Sequence, residues 1–198
     1  SLQIPIQFLG NMFDASILGG YTMACKLLSV PVSLLATPIN RVYYRTLVEK
    51  SNCGEPLGDF AYQMVNKNIK IAIIPIALLM IFGTEITTLF LGNEWSVSGQ
   101  YILISGMMYV LQYCNVCISG TFIATKNQKI ALGYSLGTCI LMIVVFMGAS
   151  ILNLSVINTI IVYTVVSCIG KSISLMLCVY CTHGDVKKIT KSILKWCL

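Results

Sequence analysis

Hydrophobic residues along this chain fall into five long runs separated by short polar segments. A helix crosses the hydrocarbon with about 20 apolar residues, and runs of that order cover residues 17–40, 69–91, 100–125, 130–152 and 156–182. Ahead of them, SLQIPIQFL reads as the last turns of an earlier helix and residues 11–16 as the loop after it. Gly54, Pro56 and Gly58 mark a loop over residues 51–59, and Gly92 closes the second run. The pattern predicts an all-α membrane protein, a helical bundle of five complete transmembrane helices plus the remnant of a sixth.

The basic residues then orient the bundle. Apart from Lys26 and Lys171, which lie inside runs, every Lys and Arg falls after the first run, at the start of the second, between the third and fourth, or after the fifth. With strict alternation those positions share one side. The other side, with Asp14, Glu94 and Asn153, holds no Lys or Arg, so the positive-inside rule makes the basic side cytoplasmic and places the C-terminus there. Trp95 sits where an interfacial aromatic belongs.

The tail, residues 185–198, sets Val186, Ile189, Ile193 and Cys197 on one helical face with Lys187, Lys188, Lys191 and Lys195 around the rest. That pattern suits a basic amphipathic helix on an anionic cytoplasmic leaflet, at about 1 kcal/mol per basic residue near the surface. A solvated basic tail is the alternative. Residues 1–184 are expected to form one transmembrane lobe whose first helix is truncated, and residues 185–198 its cytoplasmic tail.

Composition agrees with the pattern. With 57% hydrophobic and 10% charged residues and a mean hydropathy of +0.83, the chain is far from the roughly 25% charged residues of soluble domains. Residue 1 is Ser and no signal-peptide pattern opens the chain, so it is expected to be a piece of something larger.

Little chemistry of the catalytic kind is visible. Most of the 9 cysteines lie inside runs, where free Cys behaves as a small hydrophobe. Cys114/Cys117 and Cys178/Cys181 have CxxC spacing, but each pair lies in a spanning segment whereas zinc ribbons use turns, so helix packing is the reading and no metal is expected. The single histidine, His183, has no HExxH partner, and no Walker A loop, GxGxxG fingerprint or GxSxG elbow is present. A non-enzymatic protein is expected, without catalytic residues or cofactor and without a nucleic-acid partner.

The buried cations are the anomaly. A Lys at mid-bilayer costs about 2.5–3.5 kcal/mol on insertion scales, so it faces a polar cavity, pairs with an anion or snorkels to a headgroup. Lys26 lies roughly 14 Å into its run at 1.5 Å per residue, Lys171 lies near the middle of its own, and neither has an Asp or Glu one turn away. Each is a candidate anion-binding residue, with a carboxylate from another helix as the alternative partner. Glu85, the one carboxylate within a run, is a candidate coupling residue or a side chain wetted at the interface. Pro31 and Pro38 bend the first run, and Ser29 and Ser33 flank Pro31 with hydroxyls that can satisfy carbonyls there.

Two stretches carry a family resemblance. Gly20, Tyr21, Ala24, Lys26, Leu27, Leu28, Pro31, Val32, Ser33 and Leu34 resemble the "GxYxxAxRLLxLPxxL" helix of the Wzx-like polysaccharide and oligosaccharide flippases, a branch of the superfamily that also holds the MATE exporters. Leu89, Phe90, Leu91, Gly92, Glu94, Trp95 and Gly99 are similar to the family's "LFLGxxW" ending and the small residue after it. Lys26 stands where Arg is more usual, and Tyr43, Tyr44 and Arg45 stand where a proline is frequent.

The resemblance implies the C-terminal lobe of a two-lobe transporter of the bacterial cytoplasmic membrane, partnered by an N-terminal lobe and by membrane lipids. The implied substrate is an oligosaccharide on polyprenyl pyrophosphate, moved outward for capsule, O-antigen or exopolysaccharide assembly, with Lys26 and Lys171 as its contacts. Lys is a point-charge phosphate binder, suited to a group that must also be released. Two other classes stay open. A MATE-like exporter of cations would want acidic cavity residues, and a non-transporting scaffold would leave both lysines paired.

Orientation is testable by labelling single-cysteine variants in intact cells, in a background without the native cysteines. An impermeant thiol reagent should label position 93 and spare position 127; the reverse pattern would invert the topology.

Overall fold

Backbone amides in a bilayer core find no water, so each apolar run must satisfy them internally, and each does so as a helix. The structure, a computed structural model, describes residues 3–197, with the side chains of residues 3, 4, 11 and 193–198 outside the description. The elements are α1 (Gln3–Met12), α2 (Ala15–Pro31), a π-helical turn (Val32–Ala36), α3 (Thr37–Asn52), α4 (Gly58–Leu91), a 3₁₀ turn (Asn93–Trp95), α5 (Ser96–Ile118), α6 (Thr121–Ala124), α7 (Gln128–Ile151), α8 (Val156–Cys181) and α9 (Val186–Cys197). Five helical segments are long and apolar enough to span, the first running unbroken from Ala15 to Asn52 through the π turn.

Helix ends differ from the expected boundaries for identifiable reasons. Only Phe13 and Asp14 separate α1 from α2, so the expected loop over residues 11–16 shrinks to a corner. The loop over residues 51–59 is likewise short, because α3 continues to Asn52 and α4 already begins at Gly58. These polar extensions are amphipathic: Tyr43 and Leu47 on α3 and Ala61 and Val65 on α4 are buried at four-residue spacing. Tyr43 stacks on Phe60 with ring centroids 5.5 Å apart, and Lys50 lies over the same ring at 5.8 Å. The contacts at Phe60 thus join the two extensions at the basic end, while α3 packs along α5 and α6.

The third run is interrupted. It ends as α5 at Ile118, turns through Ser119 and Gly120, and resumes as α6. Asn40 accepts the Gly120 N–H on its Oδ1 at 3.2 Å and donates to Ser119 Oγ at 3.1 Å, so a side chain of α3 serves the backbone that the break frees.

α5 is the most buried spanning helix and α7 the least. α5 packs along α4, α8 and α2, so it is the pillar of the bundle. Small residues permit a close approach between α4 and α5: a Cβ on Gly99 would lie 2.6 Å from Thr84 Cα, and one on Gly106 would meet the Met80 side chain. Their short connection needs Gly92, whose φ of 97° is closed to most side chains. On the other flank, Phe8 of α1 stacks on Phe146 of α7 at 5.4 Å, and Phe146 meets Tyr163 of α8 at 5.5 Å.

The tail is a helix, as its pattern predicts, and it packs on protein. Ile189 is fully buried, and α9 lies against α8 and α4 with Ser192 hydrogen-bonded to Asn66. Ile193, Lys195 and Cys197, which the sequence places on its faces, have side chains outside the described residues.

Gly99→Val should therefore cost about 1–3 kcal/mol or more, because the Thr84 backbone as well as its hydroxyl opposes the new atoms. Gly137→Ala on α7, where a Cβ meets nothing within 4 Å, should be neutral or stabilising by up to about 1 kcal/mol. Unfolding in mixed micelles followed by circular dichroism compares them, and equal costs would refute the assigned packing.

Candidate functional site

Along α2 and into α3 the residues Thr22, Lys26, Ser29, Ser33 and Thr37 recur at steps of four, three, four and four, which places them along one side of the helix. The opposite side is spent on the core, with Gly20, Tyr21, Ala24, Cys25 and Leu28 buried. Lys26, Ser33 and Thr37 are exposed. A spanning helix thus turns a polar stripe, with a cation in it, away from its own bundle.

Lys26 is the twelfth residue of α2, about 17 Å from its start at 1.5 Å per residue. Its ammonium has neither an ion pair nor a hydrogen bond among the described residues, whose ion pairs are Arg45 with Glu49 and Lys50 with Glu55. A hollow of about 290 Å³ beside it is lined by Ala15, Leu18, Gly19, Thr22, Met23 and Trp95. Trp95 comes from the turn after α4, so that turn walls the hollow at the end away from the basic loops.

Pro31 and Pro38 bracket the π-helical turn, and Pro38 sits in the first turn of α3. The expected bend is therefore a rewound turn, with every residue of the segment still helical. Ser29 Oγ donates to the Lys26 carbonyl at 2.7 Å and Ser33 Oγ to the Val30 carbonyl at 3.0 Å. The flanking hydroxyls serve neighbouring carbonyls within the bent stretch.

Lys171 belongs to a different place. It lines a cavity of about 600 Å³ between α5, α7 and α8, together with Gln112, Asn115, Tyr134, Ser135 and Thr138. Its ammonium donates to Gln112 Oε1, and its carbonyl accepts from Asn115 Nδ2 at 3.0 Å. Tyr134 adds a bond across the cavity to the Gly170 carbonyl at 2.9 Å. The structure does not bring the two lysines together: one is open, and the other is held by a neutral amide.

Glu85 is exposed on α4 in register with Ile74, Leu78 and Ile81, which are also exposed, and it lines neither the hollow at Lys26 nor the cavity at Lys171. Among the described residues no group of three His, Cys, Asp or Glu is placed to hold a metal. Cys114, Cys117, Cys178 and Cys181 are buried free thiols. A search for charges in apolar runs misses Asn40, Gln112 and Asn115. Their signal was available, since an amide inside a spanning segment is itself costly unless bonded.

Residues 3–100 match the family described as polysaccharide biosynthesis protein. No curated protein and no solved structure matches the chain. The matched stretch runs from α1 to the start of α5, and so holds Lys26, Pro31, the π turn, Pro38 and the Gly92 and Gly99 junction. This similarity supports a role in polysaccharide biosynthesis for a chain that its helices make a multi-pass membrane protein.

Proposed function

We propose that this chain is the C-terminal lobe of a flippase that moves an oligosaccharide on polyprenyl pyrophosphate across the cytoplasmic membrane, and that Lys26 receives the pyrophosphate. The observation that carries the reading is the lone, outward ammonium of Lys26 on a polar stripe of a spanning helix. A paired structural lysine would have its acid within the bundle. An unpaired one needs an anion from outside, and a phosphate headgroup is an anion that arrives at membrane depth.

The stripe suits the rest of such a substrate. Thr22, Ser29, Ser33 and Thr37 offer hydroxyls along a path rather than a closed pocket, as a large glycan moving past would require. Lys171 is the secondary contact in this reading, because Gln112 already occupies its ammonium. Glu85 is an interfacial residue in it, set on the apolar outward face of α4.

The test is glycan export by the full-length transporter. Lys26→Arg should retain export, since Arg keeps the charge, with slower release because its planar fork holds a phosphate at two points. Lys26→Ala should lower export about tenfold or more, the scale of one charge-assisted contact of about 1.5–3 kcal/mol. Lys26→Glu should abolish it, and Lys171→Ala should act more mildly. Normal export by a stably inserted Lys26→Ala protein would rule out the charge-binding mechanism.

A further inference from the structure

The turn leading into α9 and α9 itself meet the start of α4 at two levels. At the lower level a Cβ on Gly58 would lie 2.4 Å from Gly184 Cα, and eight residues further along each chain Asn66 bonds Ser192. Equal advance along both chains means that α9 runs parallel to α4. Taking Asn66 and Ser192 as the facing pair, each helix turns 100° per residue, and every neighbour can be placed to one side of the seam or the other. Val65, Ile69 and Ile189 fall on the side where α8 packs, and all three are buried. Lys67 and Lys70 of α4 and Lys188 and Lys191 of α9 all fall on the opposite side, and all four are exposed.

Lys67 and Lys191 sit one residue after and one before the facing pair, so they are nearly level with each other. The acids nearest in sequence do not neutralise them. Asp185 accepts the Lys187 N–H at 2.9 Å, Asp59 lies in the first turn of α4 well below Lys67, and the ion pairs of the described residues lie on α3 and its loop.

The same side continues along α4 as grease. Ile74, Leu78 and Ile81 follow Lys67 and Lys70 at helical spacing, and each is more than half exposed. Residues 71–84 carry no charge, so the lysines stand where the helix enters the hydrocarbon. A cationic patch from two helices with an apolar strip directly beyond it matches an anionic phospholipid, headgroup below and acyl chain above.

We infer that the seam between α4 and α9 is a seat for an anionic phospholipid of the leaflet at the basic end, with Lys67 and Lys191 clasping its phosphate from the two helices and Ile74, Leu78 and Ile81 receiving its chain. The tail helix then does more than lie on the membrane. It completes a binding site that α4 begins, so lipid binding and docking of α9 reinforce each other.

The test uses the full chain in nanodiscs of equimolar phosphatidylglycerol and phosphatidylcholine, gently extracted, with retained lipid counted by native mass spectrometry. The unaltered chain should retain phosphatidylglycerol in preference. Lys67→Gln with Lys191→Gln should lower that preference by about fivefold per lysine. Lys126→Gln with Lys129→Gln removes the same charge from another loop at the basic end and should leave it within about twofold. Equal loss from both pairs would mean diffuse attraction to a charged surface and would overturn the seat, as would no preference in the unaltered chain. All four lysines are exposed, so the variants should keep the fold, and circular dichroism checks that.

Discussion

The backbone of α5 rests against the backbone of α4 at Gly99, and the other contacts of the bundle are built around that approach. In lipid no hydrophobic drive separates helix from solvent, so van der Waals contact between close backbones must hold helices together. Side chains larger than hydrogen at Gly99 would meet Thr84 backbone atoms, which cannot swing aside. Fixing α5 in this way fixes what leans on it. α2 and α8 pack against α5, so the outward aim of Lys26 on α2 and the inward aim of Lys171 on α8 are both set from the same pillar.

What could be read from the chain follows from how local each cause is. Apolar length alone reveals the five spans, because the bilayer imposes one length on all of them. The ends of the helices were harder. Arg41 to Lys50 lies beyond the apolar run, and the four-residue spacing of Tyr43 with Leu47, answered by Ala61 with Val65, marks it as a continuation of the helix. Gly58 against Gly184 and Asn66 against Ser192 join positions 126 residues apart, and no local pattern announces such contacts. Lys26 stood out at once as a charge in the wrong solvent. Whether it had a partner was a question about the other helices, which only their placement answers.

The two lysines show how one anomaly takes two physical solutions. Lys171 is tied to Gln112 across the α5 and α8 interface, so its charge meets an amide dipole and the hydroxyls of a polar cavity. An ammonium so held bridges two helices and keeps them in register, and removing either partner would leave the other unsatisfied. Lys26 has no such tie among the described residues, and its exposure keeps it in contact with whatever fills the space outside α2. The cost of that arrangement is lowered by water, by an anion or by snorkelling to a headgroup, and exposed Val30, Leu34 and Leu35 share the outer side of the same segment.

The π turn explains how one long helix serves two directions. In a regular α-helix Leu47 would lie about 100° around the axis from Leu28, since 19 residues at 100° each overrun five turns by that amount. Yet both are fully buried. A π turn holds about one extra residue, which delays the helix by roughly 100° and returns Tyr43 and Leu47 to the side already taken by Tyr21, Cys25 and Leu28. The same delay carries Asn40 round toward α5, where it meets Ser119 and Gly120, while Lys26, ahead of the turn, keeps its outward aim. Pro31 and Pro38 hold the rewound stretch between them, each lacking an N–H that a regular ladder would need. The motif in which Lys26 stands close before a proline is thus also the device that lets its helix bury one end, bend, and leave the charge facing out.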